Sequence, residues 1–134
     1  DWGHAKDFVE AQWLMLQKDK PKDYVIATGR MESVRRFCEL SAFELGWGAE
    51  DESGIVWEGI GLDEIGRRKD NGEIVIRIDK RYYRPTEVDE LLGNAKKAQD
   101  ELGWVPKISL EELISEMIEE DKKLALKELK MIKP

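Results

Sequence analysis

The chain has one cysteine, one histidine and four prolines among 134 residues, and its longest apolar runs, such as Trp13-Leu14-Met15-Leu16, are only a few residues long. Each scarcity excludes something. A lone Cys38 cannot form an intramolecular disulfide or a cysteine-built zinc site. A lone His4 with one distant cysteine is neither a metal cluster nor a nucleophile–base pair. A bilayer span needs about 20 consecutive apolar residues, so no membrane segment is expected. Asp1-Trp2-Gly3-His4 has neither the basic region nor the apolar stretch of a secretory signal, and a cytoplasmic location is expected. Positive charge is also short: 22 Lys+Arg stand against 29 Asp+Glu, a formal net charge of −7. That field would repel a polyanion, so nucleic acid is not an expected partner.

What is present is a folding sequence. Hydrophobic residues make up 41% of the chain, and a chain of this length buries roughly two-thirds of its unfolded surface. Ala5 to Lys18 carries Phe8, Val9, Trp13 and Leu16 at near-helical spacing, and Asp19-Lys20-Pro21 ends that helix. Tyr24-Val25-Ile26-Ala27-Thr28, closed by Gly29, is expected to be a strand buried on both faces. Ser33 suits the N-cap of a second helix with Val34, Phe37, Cys38, Ser41 or Ala42, and Leu45 on one face and Gly46 as its stop. Ile55-Val56-Trp57 and Glu73 to Asp79 read as strands. The stretch between them, Gly59 to Gly72, reads as a charged, glycine-rich connection with a hairpin-like return at Asn71-Gly72. Asn94 is placed to cap a short helix ended by Gly103. Ser109-Leu110-Glu111-Glu112 is a capping box opening the longest helix, with Leu110, Leu113, Ile114, Met117, Ile118 and Leu124 on one stripe and a lysine-rich end that should fray.

The segment richest in chemistry is Tyr83-Arg84-Pro85-Thr86-Glu87. An arginine grips phosphate through two parallel hydrogen bonds, and the adjoining proline limits the backbone that aims it. The two acceptor oxygens of Glu87 suit the adjacent hydroxyls of a ribose. The alternative is an ordinary surface ion pair between Arg84 and Glu87, worth about 0–1 kcal/mol. Thr28-Gly29 before the Ser33 helix offers backbone amides to an anion, or simply an N-capped connection. Arg67-Arg68-Lys69 is either a steering patch or a solvated charge run. Cys38, on an apolar helix face, reads as a small core residue, and His4 as a capping or packing residue. Composition and spacing single out no catalytic set.

Several blocks taken together carry a resemblance. Asp1-Trp2-Gly3-His4-Ala5-Lys6-Asp7-Phe8-Val9, Tyr24 to Gly29, Ser33-Val34-Arg35 and Tyr82-Tyr83-Arg84-Pro85-Thr86-Glu87-Val88-Asp89 resemble the GDP-mannose 4,6-dehydratase family. Leu92-Gly93, Lys97-Ala98, Leu102-Gly103-Trp104-Val105-Pro106-Lys107 and Leu110 to Leu113 are similar to a C-terminal pattern shared more widely among extended short-chain dehydrogenase/reductase enzymes of nucleotide sugars. The resemblance implies an NADP-dependent lyase that converts GDP-mannose to GDP-4-keto-6-deoxymannose, on the way to GDP-fucose and related deoxysugars. It implies that Arg84 binds the phosphates and Glu87 the ribose of the GDP moiety. It also implies a homo-oligomer in the full-length enzyme.

The family's glycine-rich cofactor turn, its Thr/Glu acid–base residues and its Tyr-x-x-x-Lys motif do not occur here: Thr28, Thr86 and Glu87 stand where a lysine would follow Tyr24, Tyr82 and Tyr83. The chain is therefore expected to be a C-terminal part, inactive alone. Residues 1–32 would supply the last helix and strand of a Rossmann-type NADP-binding α/β domain. Residues 33–134 would form a small α+β substrate-binding domain interleaved with it. The competing expectations are another nucleotide-sugar dehydratase or epimerase, or a short non-catalytic module using its apolar C-terminal helix as an interaction surface.

Overall fold

The computed structural model describes residues 1–48, 53–84, 86, 88 and 90–132, and these form a mixed α/β structure in two compact units. One unit comprises Asp1–Ser33 and Asp89–Met117, the other Val34–Val88 and Ile118–Pro134.

In the first unit, helix α1 spans Ala5–Leu16. His4 caps it with a side chain rather than a hydroxyl: the Lys6 amide donates to His4 Nδ1 at 3.0 Å. Because Nδ1 accepts, the neutral ring carries its proton on Nε2, which lies 3.2 Å from Glu116 Oε2. The helix buries Asp7 and Ala11. Ala11, Ala98 and Trp104 form the core, with Phe8, Leu14, Met15, Tyr24 and Ile26 packed around it. This corrects the expected stripe of Phe8, Val9, Trp13 and Leu16: Phe8 packs inward, while Val9, Trp13 and Leu16 are exposed. The inward face is chosen by size and by polar satisfaction. Two alanines let α1 approach the short helix α3, Lys96–Leu102, and the Asp7 carboxylate finds donors only on that side.

Helix α3 follows Asn94, whose side-chain oxygen accepts from the Lys96 amide at 3.0 Å. It ends at Gly103, which takes a left-handed φ of 69° that a side chain would disfavour. The Gly103 amide bonds back to Gln99 and the Trp104 amide to Ala98. Trp104 then turns inward and is only 2% exposed. The Trp104 indole donates to the Asp7 carbonyl at 2.8 Å, and the Lys107 and Ile108 amides both donate to Asp7 Oδ2 at 3.0 Å. Helix α4, Leu110–Ile132, starts one residue after Ser109. The expected capping box is present: the Glu112 amide donates to Ser109 Oγ at 3.2 Å and the Ser109 amide to Glu112 Oε2 at 2.7 Å. Rather than fraying early, α4 continues to Ile132. Its last turns are rich in Leu, Ala, Lys and Glu, all strong helix formers, and Lys123 bridges Glu119 and Glu120.

The expected Tyr24–Thr28 strand is not a sheet strand, and Val25 is exposed. A strand of that kind needs neighbours, and the described sheet belongs to the other unit. Its polar groups are met by side chains instead: Lys97 Nζ donates to the Asp23 carbonyl, and the Thr28 and Gly29 amides donate to Asp1.

The second unit holds α2, Val34–Glu44, and a meander of β1 (Ile55–Glu58), β2 (Ile65–Arg68) and β3 (Ile74–Arg77), all antiparallel. Ala42 and Ile55 are buried, whereas Val34, expected on the inner face of α2, is exposed. The Asn71-Gly72 return is a true hairpin, with Gly72 at φ 74° and its amide bonded to the Arg68 carbonyl. The middle strand lies inside the stretch that reads from sequence as a connection. Gly66 gives close packing there, since a Cβ would sit 3.1 Å from Ile76 Cβ and 3.2 Å from Ile55 Cγ2 and would push these neighbours aside.

The buried Asp7 carboxylate generates a stability prediction. Asp7→Ala leaves two backbone donors without an acceptor and should cost roughly 3 kcal/mol in urea unfolding. Asp7→Asn keeps an acceptor oxygen and should cost about 1 kcal/mol. Equal losses for the two variants would contradict the role given to the carboxylate.

Candidate functional site

Strand β3 delivers the chain to the segment that holds the candidate ligand residues. After Arg77 comes a 3₁₀ turn, Lys80–Tyr82, capped by Asp79. Asp79 Oδ1 accepts from the Arg81 amide at 2.9 Å, and Oδ2 accepts from Arg81 Nε at 3.0 Å and Nη2 at 2.6 Å. These bonds hold the Asp79 carboxyl below its ordinary range, the Arg81 side chain contributing most. Arg81 also lies 5.4 Å from the centre of the Tyr82 ring. Its charge is therefore engaged by its own turn.

Arg84, two residues beyond the turn, is exposed and has no ion-pair partner among the described residues. Tyr82 and Tyr83 before it are also exposed. A guanidinium with no ion-pair partner among the described residues, following two exposed tyrosines in sequence, can take anionic oxygens and stack on a planar group. Glu87, the second expected ligand residue, lies outside the described residues, as does Pro85.

Several other cations of this unit are occupied. Arg67 Nε donates to Glu58 at 3.0 Å and its Nη1 to the Gly72 carbonyl at 3.1 Å. Arg68 pairs with Asp70 and lies 4.3 Å from the centre of the Trp47 ring. The Arg67-Arg68-Lys69 run is thus largely internal bracing of a hairpin and its neighbour. Arg35, on the first turn of α2, pairs with Glu64 and stacks 4.9 Å from the centre of Trp57. Trp57 is held in turn by its indole, which donates to Glu39 Oε1 at 3.1 Å. Sequence spacing gave no sign of this four-residue cluster, because its members come from α2, β1 and the turn before β2. Cys38 is half-buried, and burial pushes its thiol pKa up, away from nucleophilic use.

In the first unit, the Thr28-Gly29 amides that reading offered to an anion already hold one. Asp1 Oδ1 accepts from the Thr28 amide at 2.8 Å and hydroxyl at 2.7 Å, and Oδ2 from the Gly29 amide at 3.0 Å. His4 caps α1, and among the described residues no three His, Cys, Asp or Glu side chains gather in a metal-binding group.

Comparison with known proteins supplies what geometry alone does not. A family model described as GDP-mannose 4,6 dehydratase matches residues 1–117. A GDP-mannose 4,6 dehydratase of Cricetulus griseus is 52% identical over 124 residues, covering 92% of this chain and 32% of that protein. The Homo sapiens protein of the same name is 50% identical over 124 residues, with the same coverage of 92% and 32%. A GDP-mannose 4,6-dehydratase of Vibrio cholerae is 47% identical over 135 residues, covering 93% of this chain and 35% of that protein. The chain spans about a third of the length of the curated relatives it matches.

The Asp79–Arg81 pairing predicts a titration. Arg81→Ala removes the largest cause of the depressed carboxyl and should raise the Asp79 pKa toward its ordinary 3.8. Carbon-detected NMR of the side-chain carboxyl across acid pH reads the change directly. An unmoved value would mean that the Arg81 side chain is not the group that holds it.

Proposed function

The chain belongs to the GDP-mannose 4,6-dehydratase family, and from that premise we propose that it is the C-terminal, GDP-sugar-binding part of such an enzyme. The whole enzyme would turn GDP-mannose into GDP-4-keto-6-deoxymannose as an NADP-dependent lyase, and this chain alone would be inactive. The observation that carries the site assignment is Arg84: exposed and without an ion-pair partner among the described residues, two residues after a turn whose own arginine, Arg81, is engaged by Asp79. Arg84 would bind the diphosphate through its guanidinium fork, and Glu87 would accept from the ribose hydroxyls.

Residues of this chain do not make a dinucleotide cradle. It has no glycine-rich phosphate turn, and the Thr28 and Gly29 amides are taken by Asp1. In the proposed enzyme NADP would be held elsewhere, on a Rossmann-type domain of which residues 1–32 form the last helix and following segment. The remainder, residues 33–134, would be the substrate domain. Two features support completion by a longer polypeptide. Val9, Trp13 and Leu16 of α1 are exposed together, and Tyr24–Thr28 is a mostly apolar segment without a strand neighbour among the described residues. Both suit packing onto a sheet. A homo-oligomeric, cytoplasmic enzyme completes the proposal.

Calorimetric titration of the chain with GDP, UDP and dTDP tests the assignment. GDP should bind most tightly, and Arg84→Ala should weaken it by about 10–100-fold, the worth of hydrogen bonds to a charged group. Arg81→Ala should leave GDP affinity nearly unchanged. No preference for GDP, or an Arg84→Ala variant with native affinity, would overturn the proposal. Formation of the keto-deoxy product from GDP-mannose by this chain alone would overturn the claim that it is inactive.

A further inference from the structure

The return between β2 and β3 holds the one Asn-Gly step of the chain, and that dipeptide carries a reaction of its own. The backbone nitrogen that follows an asparagine can lose its proton and attack the side-chain carbon Cγ. A bond forms between that nitrogen and Cγ, the bond from Cγ to the side-chain amide nitrogen breaks, and ammonia leaves with the proton. The cyclic imide then takes up water at either carbonyl, giving aspartate or its β-linked isomer. Nothing is oxidised or reduced. Glycine permits the attack most readily, because it puts no side chain in the path and has the freest backbone.

The folded hairpin engages the groups that this reaction needs. The Gly72 amide donates to the Arg68 carbonyl at 2.9 Å, so the proton that has to leave is held in a hydrogen bond. Asn71 Oδ1 accepts from the Glu73 amide at 2.9 Å and Nδ2 donates to Glu73 Oε2 at 3.0 Å, which ties the carboxamide toward the residue beyond Gly72. The Arg68 amide donates to the Glu73 carbonyl at 2.8 Å and closes the loop at its base. Asn71, Gly72 and Glu73 are all exposed, so the restraint is these hydrogen bonds rather than burial. Asn94, the second asparagine, supplies the contrast. Its Oδ1 also accepts from an amide two residues on, that of Lys96 at 3.0 Å, but the residue after it is Ala95.

We propose that Asn71 is a site of self-modification by deamidation, and that it reacts only when the β2–β3 hairpin opens. The folded hairpin protects it and each transient opening exposes it. Conversion puts a new carboxylate between Asp70 and Glu73. The β-linked product also lengthens the loop by one backbone carbon, which works against the Gly72–Arg68 bond and the β2–β3 register. The step needs no enzyme and no GDP-sugar chemistry, so it stands apart from the dehydratase reading.

The test follows the full 134-residue chain by mass spectrometry of the peptide containing Asn71, at one mildly alkaline pH, folded in buffer and unfolded in urea. Conversion should be slower in the folded chain by roughly tenfold or more, and in urea Asn71 should convert well ahead of Asn94. Amide hydrogen exchange supplies a second readout, because loss of the Gly72 N–H proton starts both reactions. The slowing of Gly72 exchange on folding should match that of Asn71 conversion to within about threefold. Ile76→Ala thins the packing over Gly66 and should speed exchange and conversion by the same factor, whether it loosens the hairpin or unfolds the unit. Equal conversion in the folded and unfolded chains, conversion faster than Gly72 exchange allows, or an Ile76→Ala effect on one reaction and not the other would each overturn the proposal.

Discussion

The first unit depends on one buried carboxylate. Asp7 is 3% exposed, a position where an unpartnered charge would be driven to protonate or to unfold its surroundings. It is tolerated because the Lys107 and Ile108 amides converge on one of its oxygens, and because the Trp104 indole donates to its carbonyl. Those three donors come from a segment about a hundred residues later in the chain. The bonds therefore fix a long loop closure as well as satisfying a charge. Ser109 comes next in sequence, so the clamp also sets where α4 begins. The His4–Glu116 contact then ties the start of α1 to the second turn of α4. With α1 held this way, small Ala11 meets small Ala98, and the larger apolar side chains on the opposite side are left facing outward.

In the second unit, positive charge is spent on structure wherever an aromatic face or a carboxylate is near. Trp47 and Trp57 each carry an arginine over the ring, and the same arginines pair with Asp70 and Glu64. These exposed pairs add little stability individually. Their effect is geometric: a guanidinium held on one side by an indole and on another by a carboxylate has few orientations left. The segment after β3 repeats the device once, with Asp79, Arg81 and Tyr82, and then stops repeating it at Arg84. A guanidinium with no ion-pair partner among the described residues, placed just after a braced turn, starts from a fixed base, at low entropic cost to any anion that meets it.

Local chemistry was legible in the sequence and tertiary choice was not. The Ser109–Glu112 capping box, the Gly103 end of α3 and the Asn71-Gly72 hairpin depend on residues within a few positions of one another, and each is where the residues point; the N-cap of α3 is Ala95, with Asn94 accepting from the Lys96 amide one residue before it. The failures share one cause. The inward face of α1 was set by Asp7 and its distant donors, which outweigh a stripe of larger side chains. Strand β2 has a single large apolar residue and a glycine, and it exists because β1 and β3 supply partners on both edges. The Tyr24–Thr28 run has strand composition and no such partners, so it is not in a sheet. Strand content follows from what lies alongside, which spacing within one segment does not contain. At the candidate site, Arg84 could be singled out from its proline neighbour, whereas the engagement of Arg35, Arg67, Arg68 and Arg81 could be known only from the fold.

That contrast also separates the two open surfaces of helix α1 and helix α4. On α1, Val9, Trp13 and Leu16 form an apolar face with no charge at its centre, suited to a dry and permanent contact such as a sheet face. On α4, the exposed residues from Leu124 to Ile132 include Glu128, with Asp121 one turn before them, and a permanent dry contact there would have to desolvate a carboxylate. The same chemical class of side chain therefore plays opposite parts at the two ends of the chain. Buried Asp7 finds its donors within the fold and locks it, while exposed Asp121 and Glu128 have no ion-pair partner among the described residues.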